Sequence, residues 1–568
     1  MTQPGLQPSQ GRVMVVALDG ATWDLARPWM QAGHLPHLAR VVAEGASGEM
    51  HAEIPPSSVP NWPAFMTGKN AGKHGCVWWL RRDEAGHLDR LPIDSRSVQG
   101  NTVWSYLSSH GRKVIVLNVP VTYPVEAVNG VMVSGLLTPR KADDFVHPPT
   151  LKPELDAAVG GYRIYPEGGY ARGRERSYLE ALLANIRQHA QAADYLLRTH
   201  AWDFFMLVLG PTDEGAHKYW HYMDATHRRY RSEDSARYGD SLLKIYTAAD
   251  EALGTLIRHL NPTDTLIVMS DHGFGPVERF FLPNNLLMQR GLLRLKRSGR
   301  SLFKQALFRV GFTPRNVYPI GKQLLTYLGR SNAIRQRLDP GRQGSRSPLR
   351  KVFLSEDDID WSQTRVAATG FLCAQLHINL RGRQPAGIVE ASDYEALRER
   401  LVTEFSAVVN PETGKLHYAK IYRREELYHG PLLDSMPDLI CLPADLRTAD
   451  AGMDFRAREL FATDSAISGT HRVEGIFVMQ GPGVRPGAHI PPVRIYDFAP
   501  TILYRMGIPV PDDMDGQVIQ AALEEEALSR SPVVLARVEA GRTEHEMGYS
   551  EEDELAVKER LRDLGYLG

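Results

Sequence analysis

The 568-residue chain predicts an α/β fold in which a mostly parallel sheet lies between helices. Two observations lead there. Five short runs rich in Val, Ile, Leu and Met, at residues 12–18, 113–118, 203–209, 265–270 and 475–480, are separated by longer stretches with helical periodicity, the rhythm of strands joined by crossover helices. Four of these runs end in, or lie close to, an Asp or His, and ligands of open α/β sheets gather outside the carboxyl ends of the strands.

Composition narrows the classes of function. The 66 basic and 67 acidic residues nearly cancel, so no global field favours nucleic acid or an anionic membrane. Cys76, Cys373 and Cys441 are scattered without CxxC spacing, which excludes a thiolate zinc cluster and gives no disulfide framework. The polar start MTQPGLQPSQGR lacks a secretory apolar region, and no run approaches the ~20 apolar residues of a membrane span. A soluble cytoplasmic protein is expected.

In chain order, residues 1–11 read as a flexible tail and 12–275 as the first part of a catalytic core. The first strand ends at Asp19-Gly20, a carboxylate at a strand terminus that could equally cap the following helix. In the segment IPPSSVPNWPAFMTGKNAGKHG, Pro60 suits the first turn of a helix, which sets Ser58 near a helix N-terminus where free N–H groups favour a phosphate. The plainer reading makes Ser57 or Ser58 an N-cap. A serine needs a base or metal to become a nucleophile, so the first reading requires a cation nearby.

After the third run, Asp213 and His217 stand four apart, on one face of a helix that begins there, and His221 extends the same series. The fourth run, TLIVMS, finishes on Asp271-His272-Gly273, which offers two metal ligands at the rim of the sheet. Before the fifth run, His471 lies in the loop SGTHR.

Residues 276–364 read as an inserted cap. Between Gly291 and Lys351 fifteen Lys or Arg face one acid, Asp339, and Leu302, Phe303, Leu307 and Phe308 interleave with the charges. A solvated lid is the bland reading. An electropositive cap attracting an anionic substrate, or a peripheral membrane contact through a lipid headgroup, is the functional one. Residues 365–520 are expected to return to the core, with LHINL as a strand and SDYEALRERLVTEF as a helix. The tail 521–568 ends in a charged helix whose Leu555, Val557, Leu561 and Leu564 share a face suited to docking or to a homodimer.

Together Asp19, Ser58, Asp213, His217, Asp271, His272 and His471 are the ligand types of a two-metal hydrolytic site. In order and spacing the set resembles the alkaline phosphatase superfamily, and within it the type I phosphodiesterase/nucleotide pyrophosphatase branch. The segments THRVEGIFVMQGPGV and YDFAPTILYRMGIPVPDDMDGQ read like that family's closing segments. The resemblance covers about residues 12–275 and 430–520.

It implies an alkaline-phosphatase-like core and two divalent cations. The first would be held by Asp19, Ser58, Asp271 and His272, the second by Asp213, His217 and His471. Asn61 would donate to a non-bridging phosphate oxygen, and Ser58 would carry a phosphoryl intermediate. An Asp/His set without Cys suits Zn²⁺, with Mn²⁺ or Fe²⁺ as alternatives. Many diesterases of the branch place Thr at the nucleophile, whereas Ser58 is nearer the phosphatase and phosphomutase usage. The segment Ser57-Ser58-Val59-Pro60-Asn61 also lacks the Arg of the sulfatase motif C/S-x-P-x-R.

Three functions are therefore weighed. The first is a phosphodiesterase acting on a small phosphate ester or nucleotide. The second is a phosphomonoesterase or phosphomutase, in which Lys69 and Lys73 would bind the dianionic phosphate. The third is a non-catalytic binder of anions or lipid headgroups.

Overall fold

The computed structural model describes residues 11–82, 88, 91–317, 352–463, 467–537 and 549–564. Its centre is a nine-stranded sheet. The strands are β1 (Val13–Leu18), β2 (Ala46–His51), β3 (Val114–Val119), β4 (Gly130–Ser134), β5 (Val146–His147), β6 (Phe204–Leu209), β7 (Thr265–Met269), β8 (Glu474–Gln480) and β9 (Val493–Arg494), in the order β9-β2-β8-β7-β1-β6-β3-β4-β5. All five predicted runs lie in it. β7, β1, β6, β3 and β4 run parallel, while β8 is antiparallel to β7.

β1 is apolar at every position because both faces of the sheet are covered, the pattern of a parallel sheet between helical layers. Val13, Val15 and Ala17 enter one core with Trp62, Trp104 and Phe498. Met14, Val16 and Leu18 enter the other with Leu38, Ile186 and Leu253.

Register then sets the site. Val13 is level with both Phe204 of β6 and Thr265 of β7, and Ala17 with Met269. Continuing that pairing by two residues brings Asp19 level with Asp271. The same rim receives helix α1 (Ser58–Thr67), and β6 runs into α2 (Pro211–Met223), which Pro211 opens.

The cap is larger than the sequence suggested. The strand Ala374–Ile378, within the predicted return to the core, instead pairs with Val366–Thr369 and Leu439–Pro443 in a separate four-stranded sheet, and Arg279–Phe281 joins another with Thr448–Ala451 and Phe461–Thr463. An alternating apolar run reports that a strand is half covered, not which sheet it joins. The main sheet resumes only at β8.

Residues 318–351 of the basic insertion lie outside the described residues. In the part that is described, the helix Gly299–Arg309 exposes Leu302 and Phe303, while Lys304 is buried in an ion pair with Asp358 at 2.7 Å. No helix among the described residues is long and apolar enough to cross a membrane. The C-terminal helix α3 (Glu551–Leu564) docks on its own chain: Val557, Leu561 and Leu564 are buried, whereas Leu555 is exposed. The apolar face suited to a homodimer is thus largely covered within the monomer.

Asp438 anchors the cap sheet. It is fully buried, accepts both ends of the Arg383 guanidinium at 2.7 Å, and takes the Ile378 N–H at 2.6 Å. Removing one partner of a buried pair strands the other charge, so Asp438→Ala should destabilise the protein by about 3–5 kcal/mol. A lowered denaturant midpoint, with the main-sheet signal lost last, is the expected reading.

Candidate metal-centred active site

Asp19 follows β1 and precedes Gly20, whose φ of +66° suits a residue without a side chain. A Cβ there would also approach Phe274, His272 and Asp213 to 3.0–3.3 Å, so the ligands crowd against this backbone. Thr212 braces the opposite side by donating to the Asp19 carbonyl at 2.6 Å. Ser270 ties β7 to its neighbours, donating to Ala21 O at 2.9 Å and accepting from Ile476 N–H at 2.8 Å.

Ser58 lies in an irregular turn where α1 begins: Val59 is extended, and the helical body starts at Pro60. Ser57 takes the N-cap position without a side-chain capping bond, and the Ser58 hydroxyl is 3.4 Å from His272 Nε2. On α2, Asp213 and His217 share a face, with Oδ1 to Nε2 at 3.5 Å. His471 arrives from the cap return. Its strand Gly469–Arg472 pairs antiparallel with Gly273–Pro276, setting His471 opposite Phe274 and beside His272.

The predicted ligands converge. Ligand atoms of Asp19, Asp271 and His272 lie within 4.8 Å of one another, as do those of Asp213, His272 and His471. His217 Nε2 is 3.1 Å from His471 Nε2, and the rings of His272 and His471 stack at 3.8 Å. His221 turns elsewhere, its ring 3.9 Å from that of Tyr222.

The orientation of the imidazoles fits a cation. His217, His272 and His471 each place Nδ1 on a backbone carbonyl, those of Gly469, Gly273 and Pro56, at 2.9, 3.0 and 3.0 Å. A carbonyl only accepts, so the proton is on Nδ1 and the Nε2 lone pair of each ring faces the cluster. The carboxylates are strained as they stand. Asp19 Oδ1 and Asp271 Oδ2 are buried without a hydrogen-bond partner. Burial, with Asp271 and Asp213 beside it, pushes the Asp19 carboxyl well above the usual range. Burial also raises Asp271, against the opposing pull of His272. It holds His217 down at about 3 and His471 well below its ordinary value. Neutral rings and crowded carboxylates are the donor set that a divalent cation relieves.

The three residues expected to meet substrate are engaged with the protein. Asn61 donates to Ser57 O at 2.6 Å and accepts from Glu53 N–H at 2.7 Å, bracing the turn before Ser58. Lys69 pairs with Asp513, and Lys73 with Asp515 at 2.5 Å. Both lysines thus fasten the segment 513–515 to the end of α1, a use that local sequence could not distinguish from phosphate binding because the partners lie over 400 residues away.

Beside Asp19 and Asp213 the rim opens into a cavity lined by Asn118, Tyr165, Asn185, His189, Glu214 and Leu564. Of these only Leu564 was singled out in the sequence, and there as part of the docking face of the C-terminal helix. Asn118 ends the predicted run 113–118 and was legible as a strand-end polar residue; the others come from the helix Glu175–Thr199, from loops, and from α2 and α3.

The family model described as type I phosphodiesterase / nucleotide pyrophosphatase matches residues 13–454. Among solved structures, phosphonoacetate hydrolase from Sinorhizobium meliloti 1021 is similar in fold, with TM-score 0.50 and 15% identity, covering 88% of this chain and 95% of that one. Murine ectonucleotide pyrophosphatase / phosphodiesterase 5 matches with TM-score 0.45 and 13% identity, over 88% and 96% of the two chains. No curated protein matches by sequence. With a family match over most of its length and an alkaline-phosphatase-like α/β core, the chain belongs to the type I phosphodiesterase / nucleotide pyrophosphatase family and is a phosphoric ester hydrolase.

Proposed function

We propose that this enzyme is a two-cation phosphodiesterase acting through a phosphoryl intermediate on Ser58. The observation that carries the reading is the convergence of a buried hydroxyl, three carboxylates and three Nε2-presenting imidazoles at one rim. Asp19, Ser58, Asp271 and His272 would hold one cation and Asp213, His217 and His471 the other. When bound, the pair would neutralise the carboxylates, favour the alkoxide of Ser58 and stabilise charge on phosphate oxygens. Zn²⁺ suits this Asp/His set, and Mn²⁺ or Fe²⁺ are the alternatives.

In the first half-reaction Ser58 Oγ bonds to phosphorus as the ester P–O bond breaks, and the alcohol leaves with the electron pair. Water then attacks phosphorus, breaking the Ser58 Oγ–P bond and restoring the hydroxyl. A diester is favoured over a monoester by the lysines: a dianionic phosphate calls for cationic side chains, and Lys69 and Lys73 are paired with Asp513 and Asp515.

Two outcomes test the reading. Ser58→Ala should lower kcat on bis(p-nitrophenyl) phosphate by at least about 10³-fold while leaving the cation content unchanged within a factor of about two. Retention of full activity excludes the serine intermediate.

The second concerns stability without metal. The carboxyls of Asp19 and Asp271 are raised above their unfolded values, so their contribution favours the fold at low pH and is lost as pH rises through the folded-state pKa. In chelator at neutral pH, Asp271→Asn should therefore raise the thermal midpoint above that of wild type, and the gain should vanish on acidification. Added Zn²⁺ should stabilise wild type more than the variant, by mass action on the folded state. A variant equally stabilised by Zn²⁺ argues against Asp271 as a ligand.

A further inference from the structure

A surface helix of a soluble protein turns its apolar stripe toward the core, and the cap helix Gly299–Arg309 turns one toward solvent. The two residues that it buries are polar, Ser301 and Lys304, with the Lys304 ammonium on Asp358 at 2.7 Å and Phe308 half-buried beside them. Its outer side is apolar. Leu302, Phe303, Ala306 and Val310, which follows the last turn, recur at spacings of three and four and so share one face. Leu302 is 49% exposed, Phe303 56% and Val310 80%. They are three of the eight large apolar residues exposed among the described residues, and they fall within nine positions of the chain.

Positive charge borders the stripe. Around the helix Arg309 falls beside Leu302 on one edge and Arg300 falls beyond Phe303 on the other, and both are exposed. Neither forms an ion pair among the described residues, nor does the exposed Arg297 just before the helix. Three other cations of the stretch are engaged: Lys304 with Asp358, Arg315 with Glu459 at 3.4 Å, and Lys296 through Nζ to Asp357 O at 2.8 Å. Residues 291–317 hold seven Lys or Arg and no Asp or Glu, so the stretch carries no acid of its own to offset the arginines. An exposed apolar stripe with arginine along both borders is unfavourable in water and suits a boundary between hydrocarbon and anions.

We propose that this face of the cap docks on the surface of an anionic lipid bilayer. Leu302, Phe303 and Val310 enter the boundary between headgroups and acyl chains, and Arg297, Arg300 and Arg309 meet the headgroup phosphates. Three apolar side chains and three arginines give a reversible, salt-sensitive attachment rather than an anchor. A second copy of this chain fits the face badly: a two-fold pairing of the stripes, in either direction, sets arginine against arginine because both borders carry one. A purely acidic protein surface would match the arginines and leave the stripe unmatched. Docking of this face does not depend on which phosphate ester the core hydrolyses.

The test is co-sedimentation of the full chain with two kinds of vesicle, phosphatidylcholine alone and phosphatidylcholine mixed with phosphatidylglycerol. Wild type should sediment with the mixed vesicles at least about fivefold more than with the neutral ones, and the difference should collapse in ~0.5 M salt. Leu302→Ser with Phe303→Ser, and separately Arg300→Glu with Arg309→Glu, should each cut that binding by about tenfold or more. All four side chains are exposed, so the thermal midpoint should stay at the wild-type value, which separates lost docking from lost folding. Leu416→Ser, at an apolar position outside the helix that is 56% exposed like Phe303, should bind as wild type does. Wild type that leaves the mixed vesicles unbound, binds both kinds equally or binds indifferently to salt overturns the proposal. So does unchanged binding in either double variant, or an equal loss in Leu416→Ser. A wild-type dimer in light scattering that Phe303→Ser converts to monomer also overturns it, because a second copy then covers the face.

Discussion

Three carboxylates, Asp19, Asp213 and Asp271, are held together in a buried space at the end of a parallel sheet, and much of the structure is organised around that mutual repulsion. None of the three could stay there by its own preference. β1 fixes Asp19 and, through matched register, Asp271, while β6 launches α2 so that Asp213 closes the triangle. The sheet is apolar on both faces, so its stability comes from burial that is independent of the rim, and it can hold an unfavourable charge arrangement there. The unfavourable energy is stored where a cation would release it.

The cap is wired into the same triangle. The chain leaves the core immediately after His272 through Gly273–Pro276 and returns through Gly469–Arg472, and these two segments pair with each other. Both cap connections therefore carry a candidate ligand imidazole, and the ladder between them fixes the stacked His272 and His471 rings. A shift of the cap relative to the sheet would have to pass through this ladder. Cap geometry and ligand geometry are one constraint, not two.

Most of the site was legible in the sequence because its residues sit at strand ends or at helical spacing, where local pattern reports position. Asp19, Asp271 and His272 close apolar runs, and Asp213 and His217 stand four apart on a helix. The cap boundary was not legible: Ala374–Ile378 has the apolar pattern of a core strand, and only its partners at 366–369 and 439–443 reveal a separate sheet. The roles of Lys69 and Lys73 were hidden for a related reason. A lysine near a candidate nucleophile looks the same whether it faces phosphate or an aspartate that follows in the chain over 400 residues later. Asn118, Asn185 and His189 line one cavity from a strand end and a helix more than 60 residues apart in the chain, and no local spacing encodes that.

The proposed nucleophile, Ser58, depends on being held from behind. Residues 53–57 have no regular structure, yet side chains from several parts of the chain bind them. Asn61 binds Glu53 N–H and Ser57 O, the Tyr428 hydroxyl donates to Ile54 O, and His471 Nδ1 donates to Pro56 O. The last of these bonds does two things at once, since it fixes the tautomer of a metal-ligand candidate and positions the turn that carries Ser58. Preorganisation of a hydroxyl matters most when the attacking group is weak, because misplacement adds directly to a barrier the serine cannot lower by itself. On the proposed reading, the cap residue Tyr428, the returning His471 and the helix residue Asn61 together would fix the approach of Ser58, and a cation held by the neighbouring carboxylates would supply the activation.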